Sequence, residues 1–125
     1  MHVVAIGRVY DQVDPAIGRR ILVDRLWPRG LRKDDLRIGT WFPDAAPSTQ
    51  LRRWYSHDQE RFAEFTQRYR IELAGPAAAG LEQLRAWLTL SSLQLVTASK
   101  DLDHSEAAVL AQVLHQGSAA AADRP

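Results

Sequence analysis

The sequence predicts a small α/β domain of three layers, with a short, mostly parallel sheet flanked by helices. Three observations predict it. Short unbroken apolar runs, above all Ile21–Val23, fit strands covered on both faces, as in a parallel sheet. Apolar residues three and four apart mark amphipathic helices between the second and third of these runs. The last run then passes directly into a helix, the succession expected of a layered α/β arrangement.

In chain order, residues 3–9 read as a first strand that ends at Tyr10 and Asp11. Asp14, Pro15 and Gly18 make the next stretch a loop. The second strand covers roughly 20–24. Residues 28–47 hold three prolines and two glycines, so irregular chain is expected, with one turn near residues 33–36. A loop of that length is usually functional or hides an element. Ser48 is placed to cap a helix carrying Leu51, Trp54 and Tyr55 on one side. Asp58 offers a second cap, before Phe62, Phe65, Tyr69 and Leu73 on one helical face, with Glu64 and Arg68 paired on the other. Gly75 and Pro76 end that helix, and Leu81, Leu84, Trp87 and Leu88 outline the next. Residues 93–98 are the third strand. Asp103 and Glu106 stand at capping-box spacing before a last helix whose buried stripe is Val109, Leu110, Val113 and Leu114. Residues 1–116 are thus expected to form a single domain, and 117–125, small and alanine-rich, a flexible tail.

Composition narrows the function. The 125 residues are 46% hydrophobic, enough for one core and too apolar for a disordered chain. The absence of cysteine excludes thiol nucleophiles, disulfides, iron–sulfur clusters and cysteine zinc sites. No stretch approaches the roughly 18 apolar residues of a membrane span. The first residues read as a strand and not as a signal peptide, so a cytoplasmic location is expected. The net charge of +1 conceals a slight surplus of base in residues 1–58, and fourteen of the sixteen basic residues are arginine. Arginine grips phosphate or carboxylate through a planar fork. A genome rich in G and C would give the same bias.

The strand ends carry the chemistry. In open parallel sheets ligands bind beyond the carboxyl ends of the strands. Here each strand ends in polar residues: Tyr10 and Asp11, Asp24 and Arg25, Lys100 and Asp101, with Trp27, Arg29 and His104 on the rim. Arg25, Arg29 and Lys100 have the chemistry to hold an anion, Trp27 and Tyr10 to wall a pocket, and Asp24, Asp101 or His104 to move a proton. Each has a plainer role too: Asp24 and Arg25 as a buried ion pair, Trp27 as a core anchor, and His57 and Asp58 as a helix cap. Asp101, Asp103 and His104 alone, from one turn, do not make a metal site, so no metal is assigned and the cofactor is left unknown. Nothing matches a P-loop, a dinucleotide fingerprint or a nucleophile elbow.

These residues also carry a family resemblance. Arg8–Asp11, Ile21–Leu31 with its VDRLWPRG block, Ala46–Ser48, Leu51, Arg52 and Trp54, His57 and Asp58, Phe65, Arg68 and Tyr69, then Lys100, Asp101 and His104 run in one order and spacing. Over residues 6–114 the chain resembles the YeaO-like family, bacterial proteins grouped as a domain of unknown function. The resemblance implies a compact α/β fold and, by analogy, recurring polar positions at Asp24, Arg25, Trp27, Arg29, His57, Asp58, Lys100, Asp101 and His104. Ser105, Gln59 and the stretch Thr97–Ser99 depart from the family pattern.

The function expected is therefore binding of a small anionic ligand, phosphorylated or not, at the strand ends by Tyr10, Asp11, Arg25, Trp27, Arg29, Lys100 and His57. Acid–base catalysis by Asp24, Asp101 and His104 is the enzymatic form of that reading. Two others stand beside it. A nucleic-acid-binding module would use the arginine-rich first half on an exposed face. A non-catalytic interaction subunit would dock through residues 28–47, marked by an exposed patch of Leu31, Ile38, Trp41 and Phe42. Oligomeric state is open.

Overall fold

A computed structural model describes residues 2–123, with side chains described as far as Gln116. Its sheet has four strands in the order β1 (Val4–Arg8), β4 (Leu93–Thr97), β2 (Arg19–Leu22) and β3 (Thr40–Trp41), every neighbouring pair parallel. The helices are α1 (Thr49–Tyr55), α2 (Phe62–Ala74), α3 (Ala78–Leu90) and α4 (Glu106–Asp123). The protein is thus a small α/β domain. The tail expected over 117–125 lies outside the residues whose side chains are described.

β3 lies in the segment expected to be irregular. It pairs only two residues, Thr40 and Trp41, with Ile21 and Leu22, too few for any periodicity to show. Gly39 makes it possible: φ is +66°, and a side chain there would strike the backbone of Arg20. The helix starts follow the sequence more closely. Ser48 caps α1 by accepting from Leu51 N at 3.1 Å, while Glu72 holds the Ser48 N–H and hydroxyl. Asp58 caps a 3₁₀ turn that leads into α2. The last helix differs. Its start follows a 3₁₀ turn at Leu102–His104, and Ser105 Oγ, not Asp103, accepts from Ala108 N. Glu106 is thereby free of the capping box and available for another role.

The two faces of the sheet are covered differently. Ile21, Val23, Leu93 and Leu95 point into a core made with Leu51, Tyr55, Phe65, Tyr69, Leu84 and Leu110 of the helices. Leu22 and Val96, offset by one residue as strand alternation requires, pack instead with Val9, Ile38, Trp27 and Leu31. That second layer is irregular chain. Parallel strands usually connect through helices, but β1 to β2 and β2 to β3 cross over by loops, and these loops supply the cover. Arg20 lies buried beneath them. Its guanidinium donates to the carbonyls of Val9 (2.9 Å), Asp11 (3.0 Å) and Arg37 (2.5 Å), and to the Gln94 side chain (3.0 Å). Burial lowers its pKa from the ordinary arginine value, partly opposed by the Asp11 carboxylate.

Candidate functional site

A cavity of about 720 Å³ opens at the carboxyl ends of β1, β2 and β4. Tyr10 reaches it from the end of β1. Asp24, Arg25, Trp27 and Arg29 reach it from the chain after β2, and Lys100, Asp101 and His104 from the turn after β4. His57 enters from the turn after α1. Asp11 is not on the wall. Its carboxylate turns back to accept from Arg8 N at 3.1 Å, and its carbonyl accepts from Arg20.

Asp24 and Arg25 do not pair with each other, contrary to the structural role expected of them. Arg25 donates to the carbonyls of Pro47 (2.9 Å) and Ala46 (3.2 Å), tying the β2 end to the start of α1. Asp24 Oδ2 accepts from Ala98 N at 2.8 Å, tying β2 to the end of β4. Trp27 is an anchor as well as a wall: its Nε1 donates to the Leu31 carbonyl at 2.8 Å, and its ring meets Trp41 edge-on at 5.3 Å. Tyr10 donates to the Arg29 carbonyl at 3.1 Å, which leaves the Arg29 guanidinium exposed at the mouth.

On the opposite rim Asp101 Oδ2 lies 2.8 Å from His104 Nδ1 and also accepts from Gln59 Nε2 at 2.6 Å. Desolvation works against the Asp101 charge, but these bonds outweigh it and hold the carboxyl below its ordinary range. The Tyr55 hydroxyl donates to the His104 carbonyl at 2.6 Å. Burial first, then the Asp101 charge, push Tyr55 up to about 12, so it stays a donor. Ser56 and His57 both adopt left-handed backbone, with φ of 47° and 58°. Two successive non-glycine residues there store strain beside the cavity, of order 1–3 kcal/mol each.

Sequence reasoning passed over Glu106. Read as part of a helix cap, it instead lines the cavity against Asp24. Burial pushes its carboxyl well above the ordinary range, and the neighbouring Asp24 carboxylate adds to the shift. The charged form of Glu106 is therefore disfavoured in the fold. Asp24 Oδ1 is buried with no donor among the other described groups, and the Glu106 proton is the one that can serve it. The usable signal was position: the first helical residue after a strand end lies where ligands sit. Arg52, weighed only as a possible extension of the anion site, also lines the cavity; Arg53 does not.

Four cations thus line one cavity: Arg25, Arg29, Arg52 and Lys100. Among the described residues no ion pair engages any of them. Three carboxyls, those of Asp24, Asp101 and Glu106, line the same cavity. Other arginines are occupied by their own aromatic rings, Arg8 over Tyr10, Arg19 over Trp87, and Arg61 and Arg68 over Trp54. The apolar patch expected of a docking surface is not assembled. Ile38 is buried, Leu31 packs beneath the loops, and Phe42 packs edge-on against Trp87. Among the described residues no group of three histidine or carboxylate side chains is arranged to hold a metal ion. No described helix is long and apolar enough to cross a membrane.

Residues 3–124 match the family model described as the inactive DUF488-N3 subclade. The chain is 51% identical over 112 residues to an uncharacterized protein of Mycobacterium tuberculosis, covering 90% of this chain and 93% of that protein. An uncharacterized protein of Mycobacterium bovis matches to the same extent. The chain is also 38% identical over 107 residues to the uncharacterized protein YeaO of Escherichia coli, covering 86% and 92% of the two chains. No solved structure matches.

Proposed function

The chain belongs to the inactive DUF488-N3 subclade, and from that premise we propose that it binds a small phosphorylated ligand in the cavity at the strand ends without turning it over. One observation carries this reading. Arg25, Arg29, Arg52 and Lys100 converge on a single cavity and, among the described residues, have no carboxylate partner. The four cations outnumber the three carboxyls of the same cavity, Asp24, Asp101 and Glu106, and an anion between them relieves their mutual repulsion. Arg29, Arg52 and Lys100 are free to grip it, whereas Arg25 is already spent on two carbonyls and contributes charge from a fixed position.

The description of the matching family as inactive favours binding over catalysis. On this reading Asp24, Asp101 and His104 orient the ligand and hold the cavity in shape. A concave site, with Arg8, Arg19, Arg61 and Arg68 stacked on aromatic rings, supports a small ligand over a nucleic-acid face.

The test is the melting temperature of the protein with inorganic phosphate, sugar phosphates, nucleotides and phosphate-free sugars. Binding to the folded state alone at a hundredfold excess over Kd adds about 2.7 kcal/mol of stability. Phosphorylated compounds should raise the melting temperature of the wild type but not of Arg29→Ala or Lys100→Ala. If no phosphorylated compound shifts the wild type, or if the shift survives both substitutions, the reading is wrong.

A further inference from the structure

Below the cationic rim the cavity ends on two carboxyls from separate elements. Asp24 follows β2 and Glu106 opens α4, and the two are in hydrogen-bond reach of each other. Neither is free to turn away. Ala98 N holds Asp24 Oδ2 at 2.8 Å, and Thr97 Oγ1 holds Glu106 Oε1 at 3.1 Å. Two ionised carboxylates so close would repel strongly, and one proton shared between them removes that repulsion. The buried, otherwise donorless Asp24 Oδ1 fits this arrangement.

A proton-sharing pair has a definite ligand chemistry. It carries one negative charge, so a second anionic group on the ligand would be repelled at the floor. It also joins acceptor oxygens to a donor at one place, which suits a hydroxyl, a group that both donates and accepts. The rings of Trp27, Tyr55 and Phe65 line the same cavity. Tyr55 and Phe65 stack on each other, and the half-buried Trp27 offers the indole surface that packs against the C–H face of a sugar ring. The cavity volume of about 720 Å³ far exceeds that of a phosphate ion and lies within the roughly 300–1,000 Å³ of small-molecule sites.

We propose that the Asp24–Glu106 pair is a hydroxyl-binding subsite, and that the ligand is a sugar phosphate with its phosphate on the rim cations and its hydroxyls on the pair. The proposal rests on the anion site described above and deepens it by naming the rest of the ligand. The same chemistry is offered by a free sugar phosphate and by the ribose phosphate of a nucleotide.

The experiment is calorimetric titration of the full chain with inorganic phosphate, phosphoglycolate, ribose 5-phosphate and adenosine 5′-monophosphate. Ribose 5-phosphate or the nucleotide should bind about tenfold tighter than inorganic phosphate and phosphoglycolate, a difference of about 1.4 kcal/mol. Which of the two binds distinguishes the free sugar from the nucleotide. In Glu106→Ala that preference should fall toward one. If that variant does not fold, Glu106→Gln and Asp24→Asn, each replacing an oxygen a sugar hydroxyl would use, should reduce the preference in its place. Equal affinity for all four compounds would overturn the subsite and leave the anion site standing. A preference that survives the substitutions would also overturn it. No binding by any of the four would remove the anion site itself, and the subsite with it.

Discussion

The two faces of the sheet are built on different principles. On one, Ile21, Val23, Leu93 and Leu95 meet helices, and the layer between them is almost wholly apolar. On the other, Leu22 and Val96 are covered by loop, and Arg20 and Gln94 are buried among them. The reason is hydrogen bonding. A helix satisfies its own peptide groups, so it can lie on a sheet and bring only side chains to the contact. An irregular segment cannot, and its buried carbonyls need donors from elsewhere. Arg20 supplies them, with donors spread over the carbonyls of Arg8, Val9, Asp11 and Arg37. The difference shows what a buried arginine can be for: here it organises backbone, with no carboxylate at ion-pair distance among the described residues. Of the two loops it ties down, one carries Tyr10 to the cavity and the other carries Trp27 and Arg29.

The largest effect is expected from removing that donor. Arg20→Ala should cost about 3 kcal/mol or more, because it orphans several buried acceptors at once. Urea denaturation measures it, and a loss below about 1 kcal/mol would mean that water reaches those carbonyls unaided. Next comes a matched pair. Leu95 and Leu22 are both 0% exposed, one on each face. Leu95→Ala, against rigid helices, should cost about 3 kcal/mol, and Leu22→Ala about 2, because a loop collapses onto a void more easily than a helix layer does. Equal losses in the two denaturation curves would show that the loop face is as rigid as the helical one.

A pH profile sharpens the contrast at the strand ends. The folded pKa of Glu106 is raised well above 4.5. The folded state therefore binds a proton that the unfolded state releases, and the stability it confers is full below about 4.5 and lost as pH rises through the raised value. Thermal melts of the wild type should show this decline. In Glu106→Gln, an uncharged isostere facing Asp24 and Thr97, the decline should be flatter. Identical profiles for the two proteins would place the shared proton elsewhere. The smallest effect belongs to Arg29→Ala, whose exposed guanidinium should matter to stability by less than about 0.5 kcal/mol. A loss larger than that by denaturation would mark Arg29 as scaffolding.

Much of this was legible in the sequence because local patterns encode it. Apolar runs found β1, β2 and β4, and the spacing of Phe65, Tyr69 and Leu73 found the buried face of α2. Ser48 and Asp58 declared themselves as caps by side-chain chemistry alone. Charged strand ends pointed to the edge where the cavity opens. β3 was not legible, since two paired residues have no period. Arg20 read as the polar start of a strand because nothing local tells a buried guanidinium from a wet one. Glu106 read as a cap for the same reason.

The sequence by itself therefore determined the class of fold, the caps at Ser48 and Asp58, and the edge at which chemistry collects. These depend on neighbours within a few residues, where periodicity and capping act. Only the tertiary structure decided which side chains meet across the chain: Arg20 with the carbonyls of two loops, Arg25 with Pro47 instead of Asp24, and Asp24 with Glu106. Those meetings join residues up to 82 positions apart in the 125-residue chain. They follow from the stacking of β2 beside β4 and the run of α4 from the end of β4, which no local pattern specifies.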